Sequence, residues 1–150
     1  SPVISAVSIT SGSNSGYADI TFTEAVYNDI SSGSPSALET SDFSPSLTGG
    51  TAAGLGIGTI TKTDNSPLAG GESAVRINFT YTGLADGDEV LEFDLAGSSV
   101  YDVSDNAGTA VQVASNTANL EDETAPSAPS VAPDRSMPDS GHRHLQPLRF

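Results

Sequence analysis

Short runs in which apolar and polar residues alternate recur through the first 120 residues of the chain. In the clearest run, residues 73–82, the apolar positions are Val75, Ile77, Phe79 and Tyr81. Because successive side chains of a β-strand point to opposite faces, this spacing predicts a strand with one buried face and one face in water. Similar runs predict further strands at residues 3–10, 17–27, 55–62, 89–95, 100–103 and 109–114.

Turn-forming residues separate these runs. Asp86-Gly87 and Asn106-Ala107-Gly108 are typical of turns, and residues 28–35 are expected to form a polar loop. Residues 36–43 fit either a short helical turn capped at Ser36 or an edge strand. About seven short strands, with turn signals between them, predict an all-β fold: an antiparallel β-sandwich in which each sheet covers the apolar face of the other.

The inward positions of the predicted strands define a predicted core. In the first strand the odd positions Val3, Val7 and Ile9 are expected to face inward, while Gly56 and Gly58 predict an edge strand or a bulge at residues 55–62. The predicted core consists of Ile9, Ile20, Phe22, Val26, Ile57, Val75, Ile77, Phe79, Leu91, Phe93 and Val111.

The composition changes after residue 120, which predicts a domain boundary. Residues 1–120 are expected to form the sandwich, and residues 121–131, acidic and then rich in proline, a semi-stiff extended linker. Residues 132–150 contain three of the five basic residues and both histidines, with no strand alternation. This tail is expected to be disordered, and it is either a non-native addition or a genuine linker to a further domain.

The charge of the chain excludes several kinds of partner. Nineteen Asp and Glu residues face five Lys and Arg residues, which gives a net charge of −14. Such a surface repels phosphate backbones and anionic lipid headgroups, so nucleic-acid binding is not expected. The chain has no stretch of about 18 apolar residues, so membrane insertion is not expected either. The chain has no cysteine, which excludes disulfides and cysteine-based catalysis or metal binding.

The sequence shows no combination of residues that is typical of a catalytic site. Both histidines, His142 and His144, lie in the tail, so the predicted sandwich offers no histidine as a general base. No two acidic residues are marked as a buried pair of the kind that hydrolyses glycosides. The chain is therefore not expected to be an enzyme.

Acidic turns are the leading candidates for ligand binding. Asp86 and Asp88 lie in one predicted turn, and Asp102, Asp105 and Asn106 lie around another. Their oxygen atoms are ligands of the type that Ca²⁺ prefers, so a bound Ca²⁺ is the one cofactor that the sequence suggests. Asp, Asn and Gly are also common turn residues, so a purely structural role is the alternative.

Four phrases of the sequence resemble a known family. Residues 20–26 (ITFTEAV), 84–89 (LADGDE), 100–108 (VYDVSDNAG) and 122–126 (DETAP) are similar, in this order, to phrases of bacterial immunoglobulin-like repeats in large surface and secreted proteins. The chain departs from the family at Ala25, where proline is usual, and in the order of the Asn-Ala-Gly turn. The resemblance implies an immunoglobulin-like sandwich, an extracellular or cell-surface location, and neighbouring repeats as partners.

The expected function is that of a spacer or adhesion module, monomeric in solution, that contacts neighbouring repeats and a cell-surface glycan or protein. The alternative is a carbohydrate-binding accessory module of an exported polysaccharide-degrading enzyme. Such modules bind sugars on exposed aromatic rings. The chain has no tryptophan, and the aromatic residues not assigned to the core are Tyr17, Tyr27, Phe43 and Tyr101.

Overall fold

The computed structural model describes residues 1–30 and 35–129. The predictions for the tail at 132–150 and for the middle of the 28–35 loop lie outside these residues. The described strands are β1 (Ile4–Gly12), β2 (Ser15–Val26), β3 (Phe43–Thr48), β4 (Ala53–Thr61), β5 (Glu72–Thr82), β6 (Val90–Leu95) and β7 (Thr117–Asn119). A single turn of 3-10 helix, Thr40–Asp42, immediately precedes β3.

The strands form two antiparallel sheets. One sheet has the order β1-β2-β5-β4, and the other has the order β3-β6-β7. With the strands lettered A to G along the chain, these are the ABED and CFG sheets of the constant-type immunoglobulin sandwich. The predicted fold class, an all-β antiparallel immunoglobulin-like sandwich of about seven strands, is confirmed.

The core lies between the inner faces of the two sheets. In β5, Val75, Ile77, Phe79 and Tyr81 are all buried, as the alternation predicted. The β2 and β6 residues of the predicted core are buried as well, while Ile9 and Ile57 pack at its margin. Burial of each large apolar side chain contributes about 1.5–3 kcal/mol before the loss of chain entropy is subtracted.

The inward positions at the start of β1 differ from the prediction. Val3 is 39% exposed, whereas Ile4 is 1% exposed and belongs to the core. The cause is a β-bulge, because Ile4 pairs with Phe22 while Ala6 pairs with the adjacent Thr21. The extra residue on β1 reverses the alternation, as bulges do.

The predicted strand at residues 109–114 is absent, and the prediction that Val111 is a core residue is wrong. Val111 is 64% exposed, and Gln112 faces inward in its place. The N–H of Ile4 donates to Oε1 of Gln112 at 2.8 Å, and the N–H of Gln112 donates to Asp94 Oδ1 at 2.8 Å. Gln112 faces inward because its amide oxygen accepts from a buried backbone N–H, which would be costly to leave unpaired.

The predicted strand at residues 100–103 is also absent, since Tyr101 makes only isolated bridges to Tyr27 and Ala107. The closing strand of the sandwich is β7, a short strand further along the chain.

For residues 36–43 the sequence left a helical turn and an edge strand open, and the structure has a helical turn there, with an edge strand that begins only at Phe43. The helical turn begins after Glu39 rather than at Ser36, and the N–H of Glu39 donates to Asp42 Oδ2 at 2.7 Å. The edge strand β3 follows. It contains Pro45, which pairs with Phe93 of β6. Proline is tolerated there because β3 has a neighbour on one side only.

Replacing Phe79 with alanine should lower the free energy of unfolding by about 3–5 kcal/mol, because it leaves a cavity in a closely packed core. Chemical denaturation measures this change. Val113, which is 93% exposed, provides the control, and V113A should change stability by less than about 0.5 kcal/mol. A loss below about 1 kcal/mol for F79A would contradict the packing of β5 described above.

Candidate functional site

The five residues predicted to bind Ca²⁺ lie at opposite ends of the sandwich. Asp86 and Asp88 precede β6, while Asp102, Asp105 and Asn106 follow it. A strand of this length spans about 20 Å. The structure therefore does not bring the two predicted groups together into one site.

Asp102 is the centre of the second group. Asp102 is only 4% exposed. Its Oδ1 accepts hydrogen bonds from the N–H groups of Ser104 at 2.8 Å and Asn106 at 3.0 Å, and Oδ2 accepts from Nδ2 of Asn106 at 2.9 Å. These donors, first among them Asn106, hold the pKa of Asp102 well below its usual value. The carboxylate thus closes its own turn, which leaves Asp105 exposed at a positive φ of 63°.

The first group is organised in a similar way. Asp86 Oδ1 accepts a hydrogen bond from the N–H of Asp88 at 3.1 Å, and the side chain of Asp88 is exposed. Within residues 1–30 and 35–129, no three acidic or histidine side chains are arranged to hold a metal ion. The same part of the chain contains no pocket.

A buried carboxylate that the sequence analysis did not single out lies beside the first group. Glu89 is fully buried. The N–H groups of Thr51 and Ala52 each donate to its Oε1 at 2.8 Å, while those of Asp86 and Gly87 donate to Oε2 at 3.0 and 3.1 Å. One carboxylate therefore satisfies four backbone donors from two separate segments of the chain.

These two segments are the two connections at this end of the sandwich through which the chain crosses between the sheets. The β3–β4 connection contributes Thr51 and Ala52, and the β5–β6 connection contributes Asp86 and Gly87. Burial raises the pKa of Glu89, but the backbone hydrogen bonds outweigh it and lower the pKa to about 2. The side chain is therefore ionised at neutral pH, and it joins the two crossings at one end of the sandwich.

The neighbouring backbone leaves room for this carboxylate only because residue 50 is glycine. Gly50 has a φ of +57°, and a Cβ atom built on it would lie 2.2 Å from Cδ of Glu89. A signal for Glu89 was present in the sequence, because the residue shares the odd positions of Leu91, Phe93 and Leu95, which all face inward. The acidic side chain concealed it, since acids are rarely buried.

The aromatic residues considered as sugar platforms are occupied by other contacts. Phe43 is 6% exposed and belongs to the core, which overturns its assignment as a platform. The ring of Tyr17 lies beneath the guanidinium of Arg76, 3.9 Å from the ring centroid. Tyr27 and Tyr101 are half-buried and are joined through their backbones at 2.8 and 2.9 Å.

No protein-family model, curated protein or solved structure matches this chain. A helix with the length and hydropathy needed to cross a bilayer is absent from the described residues. His142 and His144 lie in the tail, outside the described residues. The prediction that they do not serve the sandwich as general bases therefore stays a prediction.

Replacing Glu89 with glutamine should lower the free energy of unfolding at pH 7 by about 2–4 kcal/mol, because charge-assisted hydrogen bonds are lost and an amide N–H₂ meets N–H donors. Glu92 on the outer face of β6 supplies the control, E92Q, for which we expect little change. Urea denaturation gives both values. If E89Q behaved like E92Q, the four hydrogen bonds would not stabilise the fold.

The effect of E89Q should depend on pH. The pKa of Glu89 is lower in the folded chain, about 2, than its ordinary 4.5. Its stabilisation is therefore complete above pH 4.5 and is lost as the pH falls towards 2. The stability difference between the wild-type protein and E89Q should shrink when urea denaturation is repeated at successively lower pH. A difference that stays constant between pH 7 and 3 would be incompatible with this ionised carboxylate.

The calcium hypothesis makes a separate prediction. It takes into account that Asp102 and Asp86 already accept hydrogen bonds from nearby N–H groups. We expect millimolar Ca²⁺ to raise the melting temperature no more than Mg²⁺ at equal ionic strength, since screening of the net charge acts equally for both ions. A rise specific to Ca²⁺, reversed by chelator and abolished by D105N, would establish a calcium site instead.

Proposed function

We propose that the chain is a non-catalytic structural module, a spacer or adhesion module, of a bacterial surface or secreted multidomain protein. The observation that carries this proposal is the path of the chain, which comes into the sandwich at one end and leaves it at the other. A module of this kind keeps the domains at its two ends apart along its long axis. The phrases shared with bacterial immunoglobulin-like repeats motivate the location outside the cell and the neighbouring repeats as partners.

The first and last strands define these two ends. Ile4 pairs with Phe22 near the end of β2, whereas Gly12 pairs with Ser15 at the opposite end of the same ladder. The segment after β7 leaves beside this second end, where the N–H of Glu121 donates to Ser11 Oγ at 3.0 Å. The nine residues of β1 separate the two ends by about 30 Å.

This path has a mechanical consequence. A force that pulls the two ends apart lies along β1, so β1 must slide along β2 and strain several hydrogen bonds of their ladder at once. A force that separates the start of β1 from the end of β2 instead opens the ladder one pair at a time. Each backbone hydrogen bond contributes only about 0.5–1.5 kcal/mol. The unfolding force therefore depends on how many of these hydrogen bonds are strained at the same time.

The chemistry of the buried carboxylates also supports a non-catalytic role. A general acid or base works best with a pKa near the operating pH. The pKa of Glu89 is about 2, and hydrogen bonds hold that of Asp102 well below its usual value. Glu89 is bound by backbone donors, and Asp102 is bound by the donors of its own turn and by the terminal ammonium of Ser1.

Single-molecule pulling tests the proposal. Because the chain has no cysteine, introduced pairs define the direction of force: S1C with S127C for lengthwise pulling, and S5C with T23C for opening of the β1–β2 ladder. We expect a clearly higher unfolding force in the lengthwise geometry. Equal forces, or a lower lengthwise force, would count against a role as a load-bearing spacer.

A further inference from the structure

The segment that follows β7 is attached to the sandwich. Leu120 is 3% exposed, and its N–H donates to the carbonyl of Glu89 at 3.1 Å. Three residues later, the N–H of Glu123 donates to the carbonyl of Ala85 at 2.8 Å. This segment was predicted to be a linker, and its first residues make specific contacts with the body of the domain.

The side chain of Glu123 makes the most extensive of these contacts. The hydroxyl of Tyr81 donates to its Oε2 at 2.7 Å, and the N–H of Ala85 donates to the same oxygen at 3.4 Å. The N–H of Ser13 donates to Oε1. The hydrogen bond from Tyr81 is the first cause of a lowered pKa for Glu123, which is thus ionised at neutral pH.

These donors come from three different parts of the four-stranded sheet and its connections. Ser13 lies in the tight turn between β1 and β2, where it and Asn14 have φ values of 55° and 67°. Tyr81 lies in the central strand β5, and its N–H donates to the carbonyl of Asn14 at 3.0 Å. Nδ2 of Asn14 donates to the carbonyl of Gly83 at 2.6 Å. Glu123 therefore contacts a turn that is itself bound to β5.

β7 itself is joined to its sheet by a short ladder. β7 pairs with β6 through only three residues, Thr117–Asn119. The β1–β2 ladder has eight pairs, and β5 is hydrogen-bonded on both sides. Glu123 thus connects the end of the shortest strand to the most extensively paired part of the fold.

We propose that Glu123 is a latch that fixes the segment leaving β7 to the four-stranded sheet. The latch sets the direction in which the chain leaves the domain. The mechanical part of this proposal rests on the proposed function. In a load-bearing module, the latch transfers tension from the leaving segment directly to the β1–β2 turn and β5. Tension then bypasses the three pairs of β7.

Native-state hydrogen exchange tests the latch directly. In E123A, the amide of Ser13 should exchange roughly tenfold faster than in the wild-type protein, because its acceptor is gone. Amides at the centre of the sheet, such as Ile20 and Ile77, should be unaffected. E123Q, which keeps one acceptor oxygen, should give an intermediate rate. E121A is the matched control, because the contact of Glu121 uses its backbone.

The same variants also test whether the latch bears load. E123A and Y81F should lower the lengthwise unfolding force, while E121A should leave it unchanged. An unchanged Ser13 exchange rate in E123A would overturn the latch. Faster exchange with an unchanged lengthwise force would overturn its part in bearing load. Equal forces in the two pulling directions of the wild-type protein would instead count against the proposed function, and the exchange result would stand by itself.

Discussion

The buried carboxylate of Glu89 meets a requirement of every two-sheet fold, which is to provide acceptors for backbone N–H groups outside the sheets. Where the chain crosses from one sheet to the other it leaves the hydrogen-bonded ladder, and its backbone N–H groups need other acceptors. Here both crossings at one end donate to the same side chain, at 2.8 to 3.1 Å. The contact joins the β3–β4 and β5–β6 connections, and Gly50 leaves the space that the carboxylate occupies. Asp102 and Glu123 satisfy backbone donors in the same way elsewhere.

Much of the fold follows from alternation alone, and the exceptions have identifiable causes. The alternation in β5 and β6 predicted their buried residues because both strands are regular. It failed at Val3, where a bulge reverses the faces, and at Val111, where Gln112 turns inward to accept a backbone hydrogen bond. Both errors depend on contacts with distant segments, which a local pattern does not contain. β3 was obscured by Pro45, which only its edge position permits.

The candidate sites were harder to predict than the fold. Acidic turns suggest cation binding, because Asp and Asn in turns are indistinguishable by type from calcium ligands. What decides their role is the set of donors around them. For Asp102 these are the N–H groups and the Asn106 side-chain amide of its own turn, together with the terminal ammonium of Ser1 at 3.1 Å. Glu89 was visible in the alternation of β6, whereas Glu123 lies in a segment with a linker-like composition. Its partners Ser13 and Tyr81 are distant in sequence, so only the folded chain reveals them.

The use of carboxylates as acceptors for neutral donors also explains how so acidic a chain holds together. The described residues contain two basic side chains, Lys62 and Arg76, and only Arg76 forms a side-chain ion pair, with Asp19 at 2.8 Å. A fold stabilised by many exposed ion pairs would weaken as salt screens them. A buried carboxylate bound to backbone N–H groups is screened much less, while salt relieves the repulsion among the remaining surface acids. High ionic strength therefore favours this architecture, because the stabilising contacts are shielded from solvent and the opposing repulsion is not.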